Sequence, residues 1–162
     1  MVGASAGGNL AAVLCLMARN KGVQFLCAQV LIYPWVDRNM ECGSMKKFTV
    51  LYSSTKDYEH MEYFSSVEAP SLAGLSSAYV EIAESDCLLD GGFLYAQLLK
   101  EAGVEVELLE TIAIMHDYDI AVNSTLVKNL MDKRVASLKK VLFPQIILNT
   151  IKQSRQGESG LA

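Results

Sequence analysis

Apolar and polar positions divide the chain into alternating helical and extended stretches. From Leu10 the apolar residues Leu10, Val13, Leu14 and Met17 fall at the i, i+3, i+4, i+7 spacing of a helix face, and Ala11, Ala12, Cys15 and Leu16 fill the other faces. A helix apolar nearly all round is a buried one. It is expected to end near Asn20, with Lys21 and Gly22 supplying the terminal charge and cap. Residues 25–33 form a continuous apolar run closed by Pro34, which predicts a strand covered on both faces. Residues 78–83 predict a second strand and residues 104–109 a third, whose Val-Glu-Val-Glu alternation gives it one wetter face. Between them residues 88–102 predict a helix with Phe93, Ala96, Leu98 and Leu99 inward and Gly103 past its end. Ser124 stands at the start of a last helix whose apolar stripe is Leu126, Val127, Leu130, Met131, Val135, Leu138 and Leu142. Pro144 breaks it, 145–151 is a short apolar piece of undefined state, and the polar tail 153–162 is expected to be disordered.

Strands separated by helices mean βαβ units and a parallel sheet, so the fold class is α/β with about three parallel strands and flanking helices. In such sheets chemistry collects at the carboxyl ends of the strands. Asp86 and His116 each follow a predicted strand. Ser5 follows Met1 and Val2, the stub of another, inside Gly3-Ala4-Ser5-Ala6-Gly7. Gly-x-Ser-x-Gly before a helix is the pattern of a nucleophile elbow, in which flanking glycines permit close backbone packing around an exposed serine. The competing reading is a glycine-rich helix start. No other arrangement in the chain brings an alcohol, an imidazole and a carboxylate together, and the order Ser, Asp, His is that of α/β hydrolases.

Composition narrows the remaining choices. A chain of 162 residues makes one domain with a real core. Its net charge of −4, without a Lys/Arg run, argues against a nucleic-acid surface. Cys15, Cys27, Cys42 and Cys87 are scattered, with only two histidines in the chain. Reduced core thiols in a cytoplasmic protein are therefore expected, with no metal site. The nine apolar residues 10–18 are too few to span a bilayer. Residues 35–66 are rich in aromatic and methionine side chains, read either as packing beneath a loop or as a mobile cover over an apolar acyl pocket. His60 sits there among Lys56, Asp57, Glu59 and Glu62, as a solvated helix residue.

Three motifs carry a resemblance. Gly3-Ala4-Ser5-Ala6-Gly7-Gly8-Asn9-Leu10 resembles the Gly-Asp-Ser-Ala-Gly-Gly-Asn-Leu elbow of the hormone-sensitive-lipase-like esterases, and residues 81–92 resemble their Ala-Glu-x-Asp-x-Leu-Arg-Asp-Glu-Gly segment. Met115-His116-Asp117-Tyr118 stands where His-Gly-Phe is usual, and Ala102-Gly103-Val104 also fits. The resemblance covers residues 1–122 and implies the carboxyl-terminal half of an α/β-hydrolase domain over residues 1–143, with 144–162 as an extension. It implies Ser5 as nucleophile, His116 as general base and then acid, Asp86 as the carboxylate orienting the imidazole, and the Ala6 N–H as an oxyanion donor. Asp90 is the competing acid, its bland role being a charge in the first helical turn. Asp117 and Asp119 lie too close along the chain to His116 to orient it.

The implied activity is hydrolysis of small carboxylic esters without a cofactor. An acyltransferase or peptidase on the same fold shares the triad. The family's His-Gly-Gly segment is not in this sequence, Ala4 replaces an acidic residue, Leu89 and Gly91 replace Arg and Glu, and Ala113 replaces a frequent glycine. The alternative expectation is accordingly a truncated, weakly active or inactive fragment serving as an oligomerising module. With so little strand before the elbow, residues 25–33 are expected to form an open edge through which the chain self-associates.

Overall fold

The computed structural model describes residues 1–23, 25–39 and 59–143. Strand β1 (Val2–Ala4) leads through Ser5 into helix α1 (Ala6–Asn20), then β2 (Ala28–Ile32). Short 3₁₀ turns at Met61–Tyr63 and Ser66–Glu68 precede β3 (Ser77–Ala83), α2 (Leu89–Glu101) and β4 (Val106–Thr111). Among the described residues the sheet has the order β1-β2-β3-β4 and is parallel throughout. Val2 lies opposite Val30, Val30 opposite Tyr79, and Tyr79 opposite Glu107. The chain divides into two compact units, Met1–Tyr118, which holds the sheet with α1 and α2, and Asp119–Ala162, which holds α3 (Thr125–Leu142).

Both faces of β2 and β3 are buried, and a hydrophobic core cluster lies on one of them. Leu31, Val80 and Ile82 pack there with Ala12 and Leu16 of α1 and Tyr95 and Leu99 of α2. Gln29 shares that face, fully buried and fully used: its Nε2 donates to the Ser76 carbonyl at 3.2 Å and its Oε1 accepts from the Tyr95 hydroxyl at 3.3 Å. Burial pushes the Tyr95 hydroxyl pKa up, so it remains a neutral donor. Burial likewise pushes the Cys15 thiol up.

Several sequence expectations change at this point. Val2–Ala4 is a true strand paired with Val30–Ile32, so β2 is not an edge, and β1 and β4 flank the described sheet. The strand predicted at 25–33 is shorter because the chain at Phe25, which is 75 % exposed, has not yet entered the sheet. The third strand begins two residues late, since Gly103 at φ +78 and Val104 complete the turn out of α2. In α1 the buried positions include Ala11, Ala12, Val13, Cys15 and Leu16, and Leu10 and Leu14 are exposed, because the small side chains allow the closer approach to the sheet. In α2 the inner position is Tyr95, and Phe93 is exposed.

Ser124 begins α3 in extended conformation without a side-chain capping bond. The helix buries Val127, Leu130, Arg134 and Ser137, a narrower stripe than the apolar pattern marks. Arg134 is paired within the same unit, with Asp119 at 3.1 Å. Of the cysteines, Cys15 is buried but Cys27 and Cys87 are exposed, so two of the expected core thiols face solvent. Cys42, most of the aromatic segment 35–66 and everything beyond Phe143 lie outside the described residues.

Candidate active site

Each strand of the parallel sheet delivers one residue to its carboxyl end: Ser5 after β1, Tyr33 after β2, Asp86 after β3 and His116 beyond β4. Ser5 occupies φ +53, ψ −124, a conformation that costs an ordinary residue on the order of 1–3 kcal/mol and persists only where its surroundings over-determine it. Those surroundings are visible. The Ser5 N–H donates to the Ile32 carbonyl at 2.9 Å, and the Ser5 carbonyl accepts from Gly8 N at 2.9 Å, Asn9 N at 3.3 Å and Trp35 N at 3.0 Å.

Two glycines make this crossing possible. A Cβ on Gly3 would lie 2.0 Å from the Gly7 carbonyl oxygen, and one on Gly8 would lie 2.7 Å from Pro34 Cβ. Gly7 meets no such limit, so of the two glycines flanking the serine only Gly3 is required sterically, and Gly8 takes the other role. The buried Asn9 amide ties α1 to the segment below, donating to the Phe64 carbonyl and accepting from the Ser66 hydroxyl, both at 2.8 Å.

The loops after β3 and β4 are fastened to each other. Glu84 N–H donates to the Thr111 carbonyl at 3.0 Å, Ser85 N–H to the Ile114 carbonyl at 2.9 Å, and Ala113 N–H to the Glu84 carboxylate at 2.6 Å. Ala113 stands at φ +57, which suits the glycine more usual there. Between these ties Asp86, with its side chain 1 % exposed, accepts the Leu88 N–H on Oδ1 at 2.9 Å and faces His116 Nδ1 with Oδ2 at 2.6 Å. The other ring nitrogen, Nε2, lies 3.0 Å from Ser5 Oγ. Ser5, His116 and Asp86 are thus brought into one hydrogen-bonded line. Asp90 is not: it is exposed in the first turn of α2. Ala6 is the first residue of α1, where an N–H has no acceptor within the helix.

Two neighbours of His116 are not assigned to the site by sequence reasoning. Tyr33, buried at φ +34, meets the imidazole edge-on with ring centroids 4.7 Å apart and braces Tyr118 at 5.7 Å. Its position directly after a strand is the signal that could have found it. Asp117, set aside as an orienter, has Oδ1 3.8 Å from His116 Nε2. His60 stays apart, exposed ahead of the first 3₁₀ turn with Glu62 at 3.2 Å.

Comparison with known proteins gives this geometry its context. The family model described as alpha/beta hydrolase fold matches residues 1–120. Carboxylesterase NlhH of Mycobacterium tuberculosis is 32 % identical over 88 % of the chain and 50 % of its own length. The chain belongs to the α/β hydrolases, among the hormone-sensitive-lipase-like esterases. Carboxylic ester hydrolase LipN of the same organism is 35 % identical over 72 % of the chain and 36 % of its own length. Among solved structures, a bacterial heroin esterase superposes with a TM-score of 0.77 at 29 % identity, and a thermostable esterase from Pseudomonas putida with 0.77 at 33 %. Each covers 87 % of the chain and 50 % of the matched structure. The chain therefore spans about half the length of these α/β-hydrolase relatives. The family match ends before α3. Among the described residues no helix is long and apolar enough to cross a membrane.

Proposed function

We propose that this chain carries the catalytic residues of a serine carboxylesterase acting on small carboxylic esters, with Ser5 as nucleophile. The observation that carries the reading is the line Asp86 Oδ2–Nδ1 His116 Nε2–Oγ Ser5, with separations of 2.6 and 3.0 Å. Ser5 Oγ attacks the ester carbonyl carbon while His116 Nε2 takes its proton. The imidazolium is held by Asp86 and returns that proton to the departing alcohol oxygen, leaving an acyl group on Ser5. Water, deprotonated by Nε2, then releases the acid and restores the serine. Developing negative charge on the carbonyl oxygen is met by the Ala6 N–H, at the positive end of α1.

A fluorophosphonate probe mimics the acylation step and tests this assignment. Intact-mass and peptide analysis are expected to find one adduct, on Ser5, and none in the His116→Ala variant. Labelling of the His116→Ala variant at the wild-type rate would refute the proposed base. A second reading, self-association, is supported by the apolar side chains exposed along β1, α1 and the turn that follows, namely Val2, Leu10, Leu14, Val23 and Phe25. Sedimentation of the 162-residue chain is expected to show a dimer or larger assembly, and a monomer at high micromolar concentration would remove this reading.

A further inference from the structure

The proton that leaves on the alcohol passes through His116 Nε2, and Nε2 has a second neighbour. Asp117 Oδ1 lies 3.8 Å from it, on a side chain 57 % exposed, at the position where the resembling motif has glycine. Its backbone stands at φ +55, which glycine adopts freely and which aspartate tolerates better than most residues. Asp86 already holds the opposite nitrogen, Nδ1, at 2.6 Å, so Asp117 is not needed to orient the ring. Among the described residues no lysine or arginine lies within 4 Å of its carboxylate to neutralise it. A carboxylate oxygen thus stands beside the same ring nitrogen that Ser5 Oγ approaches at 3.0 Å.

This geometry determines which part of a substrate meets the charge. For Nε2 to protonate the alcohol oxygen, that oxygen must come within about 3 Å of it, which brings the alcohol portion into the neighbourhood of Asp117. We propose that Asp117 is a specificity-determining residue that selects esters whose alcohol carries a cationic ammonium group and disfavours those whose alcohol is anionic. The proposal rests on the esterase reading above and deepens it by naming the substrate class. In the reaction the ester C–O bond to the ammonium alcohol breaks, the Ser5 Oγ–acyl bond forms, and the serine proton leaves on the alcohol. A unit charge about 6 Å from the carboxylate gains a factor of about three in binding at water-like screening, and about ten at half that dielectric constant. The exposure of Asp117 favours the lower figure.

The test compares acetylcholine with its uncharged isostere 3,3-dimethylbutyl acetate. In the protein at low salt the ratio of kcat/KM values is expected to favour the cationic ester. Asp117→Asn, which keeps the shape and removes the charge, is expected to lower that ratio about three-fold, and Asp117→Glu to retain most of it. Raising the ionic strength on the unmodified protein is expected to narrow the ratio without any substitution. An unchanged ratio in Asp117→Asn, with both esters still hydrolysed through Ser5, would overturn the proposal and leave the esterase reading standing. Hydrolysis of both esters by Ser5→Ala at the unmodified rate would overturn the esterase reading, and this one with it.

Discussion

Replacing Ser5 by alanine is expected to lower kcat for 4-nitrophenyl acetate by roughly 10⁴- to 10⁶-fold, the range found when a serine nucleophile is removed from a triad. The expectation is large because no other group stands in its place. The alcohol 3.0 Å from His116 Nε2 is the Ser5 hydroxyl, and without it the imidazole can only activate water. The fold should survive. The ties that over-determine the elbow run through the Ser5 backbone N–H and carbonyl, which alanine keeps, and through Gly3 and Gly8, which are untouched. Circular dichroism and a thermal melt close to the unmodified protein, combined with lost turnover, would locate the defect in chemistry. Turnover within ten-fold of the unmodified protein would mean that the measured hydrolysis does not pass through this residue.

The second large effect concerns the acid. Asp86→Asn is expected to cost about 10⁴-fold in kcat, and the contacts say why. Asp86 Oδ1 is committed to the Leu88 N–H at 2.9 Å. An asparagine keeping that bond turns its NH₂ toward His116 Nδ1, 2.6 Å from the present Oδ2. Nδ1 must then accept, the ring proton moves to Nε2, and Nε2 can no longer take the proton of Ser5. Asp90→Asn removes only an exposed charge in the first turn of α2 and should leave kcat within about two-fold, as surface substitutions ordinarily do. Steady-state rates of the two variants decide between the carboxylates. A greater loss in Asp90→Asn would exchange their roles.

The order of strands and helices and the three residues that meet are legible in the sequence for one reason. A parallel sheet collects chemistry at one end, so a residue type and its place after a strand carry most of the information. The stub Met1-Val2 hides a strand because three residues are too few for periodicity, and β1 is defined by its pairing with Val30–Ile32. The faces of α1 are not legible either. Its apolar residues point in every direction, and only packing distinguishes buried Ala12 and Leu16 from exposed Leu10 and Leu14. In α3 the buried stripe includes Arg134, an ionic choice that hydropathy patterning cannot anticipate. Tyr33 escapes notice and Asp117 is set aside because their significance is a distance to His116, set by backbone at positive φ that no side-chain pattern announces.

The bond between Ser5 and His116 joins residues 111 positions apart, and the one between Asp86 and His116 joins residues 30 apart. No local segment contains a working part of this line. Each partner is carried by a different strand, so the longest loops in the unit must close before the first proton can move. Parallel pairing of that kind is intrinsically slow to form. The line is in this sense a property of the whole sheet rather than of any segment, complete only when β1, β3 and β4 are all assembled around β2.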